Sequence, residues 1–375
     1  MYTLITGGLG FIGSRLALAL VSRGEEVFLL DNLNTQIHGD NPIFSLLKLP
    51  QIRFLQGDVT DIAALKVALE GAKAVVHLAA ETGTAQSMYE LAKYNSINSQ
   101  GTALLMDYLV NHPHSVQKVV LASSRSVYGE GAYLCGAHGM VTPHPRSYVT
   151  LEQKQWNPVC PLCGGLIERM ATPEEARVYP ASIYAATKYA QEDLVRIACA
   201  SAGIGASMLR FQNVYGAGQS LHNPYTGILS IFSTRIRQQK TIPIFEDGLE
   251  SRDFVHVSDV VNAIVMALDS STANAEVLNV GSGVPTSVLE VANLLFTALN
   301  GKKISTPTIS EQFRVGDIRH GYADIRRIET VLGWQPMVSL EMGIAEFAAW
   351  VESQPLPEDR LDAALAELKA KRMGA

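Results

Sequence analysis

Over the first two hundred residues, short apolar runs alternate with stretches of helical period. Residues 2–6, 27–31, 52–56, 74–79 and 118–123 are nearly continuous in hydrophobic character, as strands buried on both faces of a parallel sheet require. Residues 11–23, 60–70 and 88–111 read as helices. In the first, Leu16, Leu20 and Val21 share a face and Gly24 supplies the stop. A helix over 182–202 and a strand over 206–211 resume the alternation. Repeated strand–helix units predict an α/β fold, a doubly wound parallel sheet of the Rossmann kind spanning 1–212.

The pattern breaks at 131–180, rich in Gly, Pro, Cys and His. Its charges balance, with Arg146, Lys154, Arg169 and Arg177 against Glu152, Glu168, Glu174 and Glu175, and it reads as an inserted module. Residues 213–350 mix loops, short strands and helices and read mainly as a smaller substrate-binding domain. Residues 351–375 are charged and Ala/Leu-rich, and read as a tail helix on the surface.

A chain of 375 residues that is 47% hydrophobic can bury a large core. The net charge of −6 and the lack of a basic stripe exclude nucleic acid as a partner. No apolar run approaches the roughly 20 residues that span a bilayer, which argues against a membrane partner. The first strand begins at Tyr2, leaving no room for a signal peptide, so a cytoplasmic location is expected.

Gly7, Gly10, Phe11, Ile12 and Gly13 lie in a turn between the first strand and first helix. Such a turn lets backbone approach a pyrophosphate, with the free N–H groups of a helix N-terminus behind it. Asp31 closes the second strand, 18 positions after Gly13. Its carboxylate suits ribose hydroxyls and repels a 2′-phosphate, so NAD is expected rather than NADP. Asn32 follows it, Asp58 and Val59 close the third strand, and Leu78, Ala79 and Ala80 close the fourth, where small residues let a cofactor cross. Tyr184 and Lys188 are four apart on one helix face, so an ammonium can favour a phenolate poised to take a hydroxyl proton. Ser124 ends the fifth strand and can hydrogen-bond the reacting oxygen.

In this order the motifs resemble the extended short-chain dehydrogenases/reductases of the epimerase/dehydratase type. The resemblance covers about residues 2–350 apart from the insert. It implies that Ser124, Tyr184 and Lys188 are catalytic and that Asn98, within Asn95–Thr102, contacts the nicotinamide. It implies that Asn213 of the LRxxNVYG-like segment, Arg252 of Arg252–Val257, and Arg314 with Asp317 hold the phosphates and nucleotide of a nucleotide-sugar substrate. Members usually form homodimers through the helices near 88–111 and 182–202, and one is expected here. Leu104, Leu105, Leu109, Leu194, Val195 and Ile197 serve either that interface or the sheet-facing core. Sugar 4,6-dehydratases of this fold carry Asp-Glu after the hydroxyl residue, where this chain has Arg125 and Ser126. That departure points to 4-epimerisation through a 4-keto sugar. Glu81, Thr82, Thr84, Arg125 and Ser126 are further candidates for the sugar site, with Ser124.

The insert carries Cys135-Gly-Ala-His138-Gly and Cys160-Pro-Leu-Cys163-Gly, each resembling a zinc knuckle. Together they form a closed Cys₃His set for structural zinc; His144 fits neither spacing, and unliganded loop thiols are the alternative. The insert lengthens the gap between Ser124 and Tyr184 and is expected to help wall the sugar pocket. With His77–Thr84 and Asn223–Gly227 it resembles the subgroup of bacterial dTDP-L-rhamnose 4-epimerases. UDP-hexose or UDP-uronate 4-epimerases, 4-ketosugar reductases and a non-catalytic NAD- and zinc-binding protein remain as alternatives.

Overall fold

The computed structural model describes residues 1–374 apart from Asn41, Ile43, His222, Pro224, Thr226 and Arg372. Two residues of the Asn223–Gly227 segment therefore lie outside the described residues. The chain opens with β1 (Tyr2–Thr6), β2 (Val27–Asp31), β3 (Ile52–Gln56), β4 (Ala72–His77) and β5 (Lys118–Ser124). The insert adds β6 (Tyr133–Cys135), β7 (Gly139–Val141) and β8 (Glu168–Arg169). Then come β9 (Gly205–Phe211), β10 (Asn213–Tyr215), β11 (Ile242–Ile244), β12 (Ser251–His256), β13 (Glu276–Val280), β14 (Pro285–Ser287), β15 (Pro307–Ile309) and β16 (His320–Gly321).

Seven strands pair in the order β13-β9-β5-β4-β1-β2-β3, all parallel. The chain winds outward from β1 to β3 and returns on the other side as β4, which opens a crevice beyond the C-terminal ends of β1 and β4, where such sheets take ligands. Every residue of β1, β2 and β5 is buried, as their unbroken apolar character requires. Leu16 and Leu20 of the helix Phe11–Ser22 pack on one face with Val260 and Ile264 of the helix Val257–Asp269. On the other face Leu65, Leu105, Leu109 and Val195 pack against Leu4 and Val75. Full burial of each such leucine stabilises by roughly 1.5–3 kcal/mol.

Leu105, Leu109 and Val195 thus belong to the core, Leu104 and Leu194 are half-buried, and Ile197 is exposed. The stretch read as one helix over 88–111 is three pieces: Leu91–Tyr94, a π-helical turn Asn95–Gln100, and Gly101–Asn111. The segment 213–350 divides. The helix Val257–Asp269 and β13 join the layers of the large sheet. The rest forms a second unit around Leu229, Phe232, Ile244, Phe254, Val291 and Phe347. The tail helix Leu361–Ala370 is not merely superficial, because Leu361, Ala364 and Leu368 are buried on one side of it.

The insert is a three-stranded sheet in the order β7-β6-β8. Its own core holds only Tyr133, Cys135, Val141 and Cys160 with half-buried Ile167 among the described residues. A core this small does not hold a fold without a staple.

Candidate active site

The turn after β1 sits against the end of β4 with no space to spare. Gly7 has φ +66°, and a Cβ there would lie 2.9 Å from the Ala79 nitrogen; at Gly13 it would meet the Gly7 carbonyl at 2.4 Å. Glycine is therefore required at both positions, and the helix beginning at Phe11 aims its free N–H groups over the turn. Asp31 is buried at the end of β2, where it accepts from the Leu9 and Leu33 N–H groups at 3.0 and 2.9 Å and lies 3.3 Å from His38 Nε2. The Asn32 amide donates to Asp58 at 2.8 Å.

One continuous cavity of about 570 Å³ runs from this turn along the strand ends into the second unit. Of the residues expected at a cofactor site, Gly7, Gly10, Phe11, Ile12, Gly13, Asp31, Asn32, Asp58, Val59, Leu78, Ala79, Ala80, Tyr184 and Lys188 all line it. Asn98 does not. It is buried in the π-helical turn, where it accepts from the Glu81 N–H at 2.8 Å and donates to the Glu81 carbonyl and Thr187 Oγ1 at 3.1 and 2.9 Å. Its amide is spent on fixing the β4 loop and the tyrosine helix from behind.

Ser182 caps the helix Ile183–Ala202 by accepting from the Ala185 N–H at 3.1 Å, which sets Tyr184 in its first turn and Lys188 one turn later. Ser124 ends β5, and its Oγ accepts from Ser126 Oγ at 2.9 Å. Burial raises the Tyr184 phenol above its ordinary value, against the pull of the Ser124 hydroxyl and the Arg125 guanidinium. Burial also pushes Lys188 down to about 7, opposed by Glu192. The cation that lowers the Tyr184 phenol here is Arg125, and Lys188 lines the same cavity one helical turn further on.

Arg125 donates to Asn213 Oδ1 at 3.2 Å. Farther along, Arg252 donates to Asp317 Oδ1 and to the Ile318 carbonyl, both at 2.7 Å, and Arg314 lies 4.6 Å over the Phe245 ring. Burial would raise Asp317, but Arg252, Arg314 and Arg125 outweigh it and hold the carboxyl near 2. Glu81, Thr82, Thr84, Ser124, Arg125, Ser126, Asn213, Arg252, Arg314 and Asp317 all line the cavity. Glu81 is engaged by Asn34 Nδ2 at 3.0 Å and Lys93 Nζ at 3.2 Å. Three clustered guanidiniums suit a diphosphate.

Sequence reasoning missed several wall residues, among them His38, Phe245, Leu361 and Glu250. Glu250 is buried with Oε2 unpartnered, and burial pushes it up to about 7 against the influence of Arg252. Its signal was present, for it stands two residues before Arg252 and so on the same side of the extended chain. No residue of 131–180 lines the cavity, which corrects the expected role of the insert as a pocket wall.

Within the insert, the side-chain donors of Cys135, His138, Cys160 and Cys163 all lie within 4.8 Å of one another. Cys135 Sγ is 3.5 Å from His138 Nδ1 and 3.9 Å from Cys163 Sγ, and Cys160 Sγ is 3.7 Å from His138 Nδ1. A tetrahedral site with metal–sulfur bonds of about 2.3 Å has edges near 3.8 Å, so this donor set fits a metal ion. His144 lies apart, 3.3 Å from the Tyr179 hydroxyl. No helix among the described residues is long and apolar enough to cross a membrane.

Known proteins share this architecture. The NAD dependent epimerase/dehydratase family profile matches residues 3–148 and 164–281. A dTDP-L-rhamnose 4-epimerase of Burkholderia thailandensis is 37% identical over 353 residues, covering 94% of this chain and 95% of that protein. The UDP-glucose 4-epimerase of Thermotoga maritima, solved with UDP-glucose, superposes with a TM-score of 0.76 at 27% identity, covering 94% of this chain and 99% of that one. MoeE5, solved with UDP-glucuronic acid and NAD, gives 0.74 at 28% identity with the same coverage. The sheet order, the glycine cradle and the profile match over more than half the chain agree: the protein belongs to the NAD dependent epimerase/dehydratase family.

Proposed function

We propose that the protein is an NAD-dependent nucleotide-sugar 4-epimerase whose substrate is dTDP-L-rhamnose. One observation carries this reading. Ser124, Tyr184 and Arg125 meet in a single cavity that joins a glycine cradle suited to a dinucleotide with an arginine cluster suited to a nucleoside diphosphate. The residues fit NAD, because Gly7 and Gly13 leave backbone bare where a pyrophosphate would lie and Asp31 stands where ribose hydroxyls would. When bound, NAD supplies the acceptor and later the donor of the hydride at sugar C4. Arg252, Arg314 and Asn213 would hold the diphosphate. The Tyr184 oxygen takes the C4 hydroxyl proton, Ser124 hydrogen-bonds the oxygen that becomes the ketone, and Arg125 offsets the negative charge on the phenolate. The 4-keto sugar turns over, and Tyr184 returns the proton as the opposite configuration forms.

The dTDP-sugar choice rests on the 37% relative, which is the named L-rhamnose epimerase. A UDP-hexose or UDP-uronate is the second reading, favoured by the likeness to UDP-sugar complexes. The test is to incubate the protein with dTDP- and UDP-sugars and follow C4 by NMR and absorbance in the nicotinamide band. Inversion of dTDP-L-rhamnose without net NADH is expected. Inversion of a UDP-sugar alone would replace the substrate, and stoichiometric NADH consumption would replace the epimerase with a reductase.

The Cys₃His set of the insert is proposed to hold one zinc ion in a structural role, since four protein donors leave no open position. Elemental analysis should find one zinc per chain. A homodimer through the helices Gly101–Asn111 and Ile183–Ala202, in a cytoplasmic setting, completes the reading. Exposed Val110 and Ile197 on those helices support it, and light scattering tests it by separating the monomer mass from the dimer mass.

A further inference from the structure

The insert avoids the cavity, yet one of its residues is wired into the cavity wall from behind. Arg146 is buried, with its side chain 3% exposed. Its Nε reaches Glu130 Oε1 at 3.2 Å, Nη1 reaches Glu246 Oε2 at 2.9 Å and the Trp156 carbonyl at 3.0 Å, and Nη2 donates to the Asp317 carbonyl at 3.0 Å. Asp317 is the carboxylate that Arg252 grips, and Glu246 directly follows Phe245, over which Arg314 lies. A second link runs beside the first. Arg319 Nε donates to Asn157 Oδ1 at 2.9 Å, its Nη1 to Glu246 Oε2 at 3.1 Å, and its N–H to Glu130 Oε2 at 2.8 Å.

We infer that the insert is a buttress for the diphosphate-holding end of the cavity, with Arg146 as the positioning residue that joins it to the Arg252–Asp317 pair and to the Phe245–Asp247 loop. This rests on the nucleotide-sugar reading. Buried ion pairs add little net stability, because desolvation offsets their attraction; what a five-donor guanidinium gives in such a lattice is position. The loop around Glu246 needs such holding, since Glu246 itself sits at φ +50°, a conformation that side chains rarely adopt. The metal-donor set closes the base of the insert loop that carries Arg146. It ties 135–138 to 160–163, and the Arg146–Trp156 hydrogen bond spans the stretch between them. Loosening either end should therefore free the same wall.

The experiment compares wild type with Arg146→Met, Arg146→Lys and Asn157→Ala, reading KM and kcat with dTDP-L-rhamnose, dTDP affinity by calorimetry, and NAD content. Arg146→Met should raise KM and weaken dTDP by about 10- to 100-fold, while kcat and NAD content stay within about twofold, because misplaced binding groups act on affinity before chemistry. Arg146→Lys should recover part of the loss, and Asn157→Ala should show a smaller loss of the same kind. Zinc removal by a chelator should reproduce the KM effect with NAD retained. If Arg146→Met does not fold, Arg146→Lys and Asn157→Ala carry the comparison. Unchanged dTDP affinity in all variants overturns the inference, as does a parallel fall in kcat and NAD content, which marks general unfolding. If wild type binds neither dTDP nor UDP, the nucleotide-sugar reading itself fails.

Discussion

The cofactor end and the nucleotide end of the cavity are built by different means. At the cofactor end, strand ends and the turns that follow them supply much of the wall, and β1, β2 and β4 deliver Gly7, Asp31 and Ala79 side by side. At the nucleotide end, Arg252, Arg314, Asp317 and Glu250 come from a strand and two loops, and Arg146 and Arg319 hold those pieces together through charges far apart in sequence. The first end inherits its geometry from a parallel sheet. The second depends on a buried lattice in which every member needs its partner. Local changes should therefore abolish function at one end and grade it at the other.

The largest expected effect is on chemistry. Tyr184→Phe should lower kcat by about 10²–10⁴-fold with substrate affinity and NAD content unchanged, as steady-state kinetics and absorbance of the purified protein would show. Next, Gly13→Ala should strip NAD from the purified protein, since its Cβ would press on the Gly7 carbonyl at 2.4 Å; cofactor retained at wild-type occupancy would refute the cradle. Third, Cys160→Ser should release the metal and lower thermal stability by several degrees while leaving the NAD-binding end intact, measured by elemental analysis and calorimetry.

The smallest effect concerns Glu250, which burial lifts to about 7 from an ordinary 4.5 while Arg252, Glu246 and Asp317 face it. With a raised folded-state value, its contribution to stability is fully present below about pH 4.5 and lost as pH rises through about 7. Ionised Glu250 would set a negative charge beside Arg252, where the diphosphate is proposed to lie, so dTDP affinity should fall about threefold between pH 6 and 8 in wild type. Glu250→Gln should flatten that slope; an unchanged slope would remove Glu250 from the binding wall.

This contrast also sets how much could be read in advance. The strands β1 to β5, the glycine turn and the Tyr184–Lys188 helix were legible because period and spacing are local properties. Asn98 was not, since nothing in its neighbourhood reveals that its amide would face Glu81 and Thr187 instead of the cavity. Arg146 looked like one of eight balanced surface charges, and only the meeting of Glu130, Glu246 and Asp317 around it shows otherwise. The return of β13 to the large sheet was hidden for the same reason, as pairing with β9 is a tertiary fact. The cluster of Cys135, His138, Cys160 and Cys163 was readable in spite of its 21-residue interruption, because knuckle spacing marks each half separately.

Glu246 and Arg319 are 5% and 2% exposed and take part of their counter-charge and hydrogen bonding from Arg146 and Asn157. Without the insert, Glu246 would keep Arg319 but lose Arg146, and Glu130 would lose Arg146 too, a loss of several kcal/mol for carboxylates that stayed buried. The insert is thus tied to the rest of the chain by charge: removing it calls also for replacing the carboxylates that Arg146 neutralises.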